Sequence, residues 1–342
     1  MDDIRQNAVG DCWFLASLSS LATRADRVSF VIQKSRNESA NPESGYEFKF
    51  YRMGRWLTYK VDKYLPTRLA AVAADNEHWV PYVEKAYAKR YLTYEAITGG
   101  WGCWGLTDLT GGIAIKTRLD WGARGIHELF AWLYDNQSAL LVTSGINGGT
   151  GGAGGEELQE NGLYAGHEYS LLKLDLVRDH SGQLIELVNI RNPWGQGEFN
   201  GDWSDQSEKW DTISSSRCSQ LLVDREDGAF WMCYKDWVNL FSSFDVCLLP
   251  SHYSELNDGP YFEHEHCTNG VFNENNPKIV IKLSVWTKRN IYVQTLLDCN
   301  IAYAKEEQFL VVNMLDGNGE YIYPRLPNDY KPGSASNYSH NG

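Results

Sequence analysis

The chain has no CxxC pair, and its seven cysteines are scattered over 342 residues in an odd number. That excludes a dense disulfide framework and fits a reducing compartment. No apolar run is long enough to span a bilayer and no secretory leader opens the chain, so a cytoplasmic protein is expected. Basic residues are in the minority. Lys and Arg number 31 against 44 Asp and Glu, a net charge of −13 that argues against nucleic acid as the main partner. The same acidity can be a solvated surface or can hide cation sites. No internal repeat is visible. What is present is globular: 43% hydrophobic residues with 13 Trp and 20 Tyr supply a core that needs no covalent staples. The length suggests two or three domains.

The stretch from Gln6 to Ala16, QNAVGDCWFLA, organises the rest. Gly10 permits a close backbone approach, and Asp11 is a good N-cap type. Cys12 then opens a run with Phe14, Leu18, Leu21 and Ala22 at helical spacing, an expected amphipathic helix. A thiol there feels the positive end of the helix dipole, which favours thiolate and places a nucleophile. The alternative is a small buried residue at a helix start.

Along the chain, residues 46–50 and 56–61 alternate as strands around a turn at Met53-Gly54. Residues 77–96 read as a helix with Trp79, Val83, Tyr87 and Leu92 inward and Pro81 in its first turn. Residues 99–112 are rich in glycine and tryptophan, and Gly111-Gly112 reads as a linker. Beyond it, residues 125–135 and 235–241 read as helices. Residues 139–142, 169–177, 184–189, 230–234 and 245–249 read as strands, and residues 147–155 as a glycine-rich loop. After Pro250, strands at 278–285, 291–297 and 309–314 suggest a β-sandwich, and the polar residues 328–342 a frayed tail. The division is therefore 1–112, 113–250 and 251–342.

A nucleophilic thiol needs a base and a group that orients the base. His167, in GHEYS, starts a strand just after the glycine-rich loop. Asn192, in NIRNPWG, ends the next strand, where its amide can accept from the imidazole and Trp194 can shield that bond. A lone histidine before a strand is commonly structural. The order Cys, His, Asn, with the histidine 155 residues after the cysteine, points instead to a thiol protease.

These motifs resemble the protease core of the calpain family, papain-like cysteine proteases. Residues 6–18, the string EKAYAK at 84–89, TGG at 110–112, Gly166-His167, residues 191–195 and Trp203-Ser204-Asp205 fall in the family's order over about residues 1–250. The resemblance implies an α+β, papain-like core of two subdomains. The first half (1–112) is helical and carries the nucleophile. The second (113–250) is β-rich and carries His and Asn. A partial β-sandwich (251–342), similar to a C2 domain, follows. It implies Cys12 as nucleophile, His167 as base and acid, and Asn192 as orienter. Gln6 would donate to the oxyanion beside the Cys12 N–H. Gly100 and Gly166 match substrate-binding positions, and Trp194 matches a tryptophan that wedges between the cleft walls at rest.

The resemblance also implies regulatory Ca²⁺ in each half. Asp3 and Glu77 match ligands of the first site, whose backbone ligands would precede residue 1, so a fragment or an incomplete gene model is expected. Glu198, Asp205 and Asp227 match the second site. Arg225 falls where only a carbonyl is used, and Ala229 where the family has a glutamate. Residues 198–227 hold eight carboxylates and three basic side chains, enough oxygens for a hard cation or for a solvated acidic loop. No EF-hand loop is present, which matches atypical calpains and argues against a small subunit. Implied partners are protein substrates, with peripheral membrane association through residues 251–342. Two other classes compete with an endopeptidase making limited cuts. A non-catalytic scaffold is opposed by the intact Cys12, His167, Asn192 and Gln6. A transglutaminase-like acyl transferase is opposed by the motifs around Asn192.

Overall fold

Helix α1 (Cys12–Ala22) has few polar residues, and those few are serines; every residue from Trp13 to Leu21 is buried. The expected amphipathic face is thus corrected to a helix buried on all sides from Trp13 to Leu21. Each serine finds a partner, which lets a polar residue sit in the core. Ser17 Oγ lies 2.8 Å from the Trp13 carbonyl and 3.0 Å from that of Gly102. Ser20 Oγ accepts from the Val142 N–H, and Ser19 Oγ accepts from Arg191 Nη1. The computed structural model describes residues 4–33, 45–52, 55–66, 71, 79–119, 123–148 and 156–249. Residues 1–263 form one compact unit and 264–342 a second. The expected sandwich strands and polar tail, the Met53-Gly54 turn and most of the glycine-rich loop lie outside the described residues.

Around α1 the first half adds α2 (Ala25–Val31) and a three-stranded antiparallel sheet of β1 (Ile32–Gln33), β2 (Tyr46–Arg52) and β3 (Arg55–Val61) in that order. Helix α3 (Trp79–Arg90) carries Pro81 in its first turn, where no N–H is lost from the ladder. Val83 and Tyr87 point inward as expected. Leu92 does not. It lies past the helix end with φ of 80° and is 61% exposed, so the helix stops before its period reaches this residue. Phe14 stacks on Tyr87 with centroids 3.8 Å apart, and Phe50 meets Tyr87 edge-on. Residues 102–110, expected only as the approach to a linker, form helix α4 (Gly102–Thr110), which Gly111 closes at φ 65°.

The second half is built on a six-stranded antiparallel sheet. Its strands are β4 (Ile113–Arg118), β5 (Leu140–Ile146), β8 (His167–Arg178), β9 (Leu184–Arg191), β10 (Ala229–Cys233) and β11 (Ser243–Leu248), in the order β10-β9-β8-β5-β11-β4. A short ribbon of β6 (Glu157–Leu158) and β7 (Tyr164–Ala165) precedes β8. Helices α5 (Ala123–Asn136), α6 (Ser215–Leu221) and α7 (Tyr234–Leu240) complete the α-helices among the described residues. Strand β5 is buried along its whole length, as a strand covered on both faces must be. Helix α1 packs on β5 and β8. From α7, the Trp237 indole N–H donates to Ser144 Oγ at 3.0 Å. The five described cysteines are all free. Among the described residues no helix is long and apolar enough to cross a membrane.

Candidate active site

Cys12 is the first residue of α1 and is held from both sides in sequence. The Gly99 N–H donates to the Gly10 carbonyl at 2.9 Å, tying the turn before Cys12 to the segment containing Gly100. A Cβ at Gly100 would sit 2.4 Å from the Trp13 indole, so only glycine lets that segment lie so close. The Gln6 N–H donates to the Pro193 carbonyl at 2.9 Å, which places the first segment beside the Asn192 turn. Gln6 Nε2 donates to the Val9 carbonyl at 2.7 Å, so one of its two amide hydrogens is already engaged.

His167 begins β8, opposite Ile146, and its side chain is fully buried. Gly166 anchors the approach, its N–H donating to the Ile146 carbonyl at 2.8 Å. His167 Nε2 lies 2.9 Å from Asn192 Oδ1. The orientation of that amide follows from its other partners. Asn192 Oδ1 also accepts from the Trp194 N–H at 3.0 Å, and Asn192 Nδ2 donates to the Gly197 carbonyl at 3.0 Å. An oxygen therefore faces the imidazole, so Nε2 carries a hydrogen and Nδ1 is left for chemistry. The Trp194 ring packs over the imidazole with centroids 4.8 Å apart, and also against Tyr164. It therefore lies beside the His–Asn bond.

Nδ1 is not idle. It lies 2.7 Å from Glu156 Oε1, a contact the sequence reading missed. The Cys12 sulfur, a Glu156 oxygen and a ring nitrogen of His167 all lie within 4.8 Å of one another. The only signal for Glu156 is position: it is the first residue after the glycine run and eleven before His167.

The thiol corrects a second expectation. A helix terminus alone would lower its pKa. Here burial pushes the Cys12 thiol well above its ordinary value, and the carboxylates of Glu168, Glu156 and Asp11 push the same way. The Glu168 backbone opposes them without prevailing. Asp11 also corrects its reading as a capping side chain, since it makes no cap hydrogen bond. It is buried beside Glu84; burial first, and then Glu84, raise its pKa, while burial pushes Glu84 up to about 7. On the other side, burial and then Asp245 push Glu168 up to about 8. Two buried acid pairs thus flank the thiol. An acid inside an apolar strand, such as Glu168, is itself a signal that could have been read.

The calpain family of cysteine proteases matches residues 1–248. The chain belongs to that family. It is 34% identical over 252 residues to the calpain-2 catalytic subunit of Mus musculus, covering 72% of this chain and 35% of that protein. It is 34% identical to the calpain-1 catalytic subunit of Gallus gallus over the same share of each chain. It is 35% identical over 253 residues to calpain-9 of Homo sapiens, covering 72% of this chain and 36% of that one. This calpain chain thus spans about a third of the length of the curated relatives it matches.

Of the positions that the resemblance linked to calcium, Asp3 and Glu77 lie outside the described residues. Glu198, Asp205 and Asp227 come together beside a cavity of about 600 Å³ that Glu198 and Asp205 help to line. Burial, and then the Asp205 charge, push Glu198 up to about 7 against the Gly228 N–H that it accepts. Burial, with Asp224 and Asp227, pushes Asp205 up to about 6. Two crowded carboxyls of this kind offer the type of oxygen a hard cation takes. Asp227 is differently placed: Arg225 donates to it from Nε at 3.0 Å and from Nη2 at 2.7 Å. Ala229 adds no oxygen from its side chain, and its N–H donates to Asp227 Oδ1.

Proposed function

We propose that this calpain domain is an endopeptidase that makes limited cuts in protein substrates by thiolate attack from Cys12. The observation that carries the reading is the oriented pair of His167 and Asn192, brought from β8 and the end of β9 to the first residue of α1. Once Glu156 moves off Nδ1 with the proton they share, His167 takes the thiol proton there and returns it to the leaving amine. The sulfur bonds to the scissile carbonyl carbon. The oxyanion that forms is met by the Cys12 N–H, open at the first turn of the helix, and by Gln6 Nε2. Gly100 and Gly166 contact the substrate backbone, and the two halves form papain-like walls. The carboxylates around the thiol favour its neutral form until substrate and base are in register. The experiment is labelling of Cys12 by a peptidyl-epoxide reagent, read by peptide mapping with and without calcium. Labelling confined to another cysteine would sink the assignment.

Calcium regulation belongs to the same proposal. Glu198 and Asp205 would hold the ion, and Asp227 would join once freed from Arg225. The bound ion supplies charge neutralisation. Each of these two carboxyls has a folded pKa above its unfolded value. The stability each contributes is therefore full at low pH and is lost as pH rises through about 6 for Asp205 and about 7 for Glu198. Calcium must displace those protons. Its stabilisation of the whole chain is therefore expected to be small near pH 5 and to grow to about pH 8 in thermal melts. Ala229→Glu, which adds a charged oxygen ligand, is expected to tighten calcium in calorimetric titration of the whole chain. Equal affinities for variant and wild type would remove this site from the proposal. A cytoplasmic setting, supported by the free thiols, and membrane association through residues 251–342 stand as proposals with it.

A further inference from the structure

We infer that Cys12, Glu156 and His167 form an inhibitory zinc site, with the sulfur, one carboxylate oxygen and Nδ1 as its three protein ligands. Among the described residues this is the set of three side chains whose ligand atoms lie within 4.8 Å of one another. In a tetrahedral zinc site those atoms stand about 3–4 Å apart, given bonds of roughly 2.0–2.3 Å, so small side-chain rotations close the cage. The donors are of mixed softness: a thiolate, an imidazole and a carboxylate. That mixture selects zinc over calcium, which takes oxygens alone. Three protein ligands leave a fourth position for water.

The imidazole is already prepared for a metal. A ligating histidine ordinarily donates its other N–H to a fixed acceptor, which sets the tautomer and aims the free nitrogen. Asn192 Oδ1 is that acceptor, held in turn by the Trp194 N–H, while Asn192 Nδ2 donates to Gly197. The 2.7 Å contact between Nδ1 and Glu156 Oε1 needs one shared proton. Zinc takes that proton's place. Binding is balanced as follows: Zn²⁺ enters, the thiol loses its proton, the proton between His167 and Glu156 leaves, and two protons go to solvent. Thiolate and carboxylate then neutralise the ion. Entry is open from one side, because the Glu156 side chain is 30% exposed and Cys12 is only partly buried.

Metal binding does not rest on the protease reading; only its inhibitory consequence does. The test uses the full chain and three readouts. Co²⁺ replaces zinc as a spectroscopic probe, and a thiolate-to-cobalt charge-transfer band is expected in wild type and absent in Cys12→Ala. Competition with a chromophoric chelator is expected to show zinc bound at least about tenfold more weakly by Glu156→Gln, an isosteric change at an exposed side chain. Iodoacetamide alkylation of Cys12, followed by peptide mapping, is expected to slow with zinc and recover with chelator. Any of three results overturns the site: cobalt binding without thiolate charge transfer, wild-type zinc affinity in Glu156→Gln, or unchanged Cys12 alkylation at saturating zinc. If all three hold while peptide hydrolysis is absent, the site stands and the protease reading alone fails.

Discussion

Cys12→Ala abolishes peptide hydrolysis, with a loss on the order of 10⁴–10⁶-fold in kcat, the scale seen when a nucleophile that acts as a unit with its base is removed. The fold survives. Alanine is the best helix former, and the side chain it replaces is small and only partly buried, so the melting temperature is expected to stay within about 2 °C of wild type. The other described cysteines do not share the role. Cys103 and Cys247 are held up in pKa chiefly by burial, as Cys12 is, but neither joins the His167 and Glu156 cluster. Hydrolysis at the wild-type rate by Cys12→Ala, with substrate cleavage confirmed by mass spectrometry, would contradict the assignment.

The reach of the sequence follows from what is local. Cys12, His167 and Asn192 each sit in a short string, and the strands that carry His167 and Asn192 are neighbours in both sequence and space. That they meet was therefore legible. The strands read at 46–50, 169–177 and 184–189 were legible for the same reason, because alternation is a property of the strand itself, and each runs a residue or two further in the structure. Helix α4 was not. Its Gly102 and Gly105 look like loop residues, yet each is there for close packing. A Cβ at Gly102 would meet Thr143 Oγ1 at 2.0 Å, and one at Gly105 would meet Ser17 Oγ at 2.6 Å. Propensity pointed away from helix and tertiary contact overrode it.

The electrostatics of the thiol were the least legible. The helix-dipole argument concerns one element in isolation. Burial overturns it first, and the charges that add to it come from Asp11, Glu156 and Glu168; Glu168 reaches Cys12 only after β8 has paired with β5 and packed on α1. Asp11 illustrates the same point at close range. Beside α1 it reads as a cap, but Glu84 from α3, 73 residues away in sequence, draws it into a buried acid pair. Spacing along the chain carries no trace of that partner.

Within the triad, His167→Ala is expected to be nearly as damaging as Cys12→Ala, because thiol and imidazole act in one proton transfer. Asn192→Ala is expected to be milder. Cys12 keeps its place at the helix start, and the oxyanion donors remain. What goes is one acceptor for Nε2–H, a loss of ~1–3 kcal/mol, or ~10–10²-fold in rate. The effect should fall on kcat with KM little changed, since Asn192 touches the imidazole and not the substrate. Asn192 is fully buried and also serves Trp194 and Gly197, so its loss destabilises the turn as well. Rates must therefore be normalised to titrated active thiol and read below the melting transition. Under those conditions a larger loss for Asn192→Ala than for His167→Ala would reverse the roles: the buried amide, rather than the ring it orients, would then be the group on which the thiol depends.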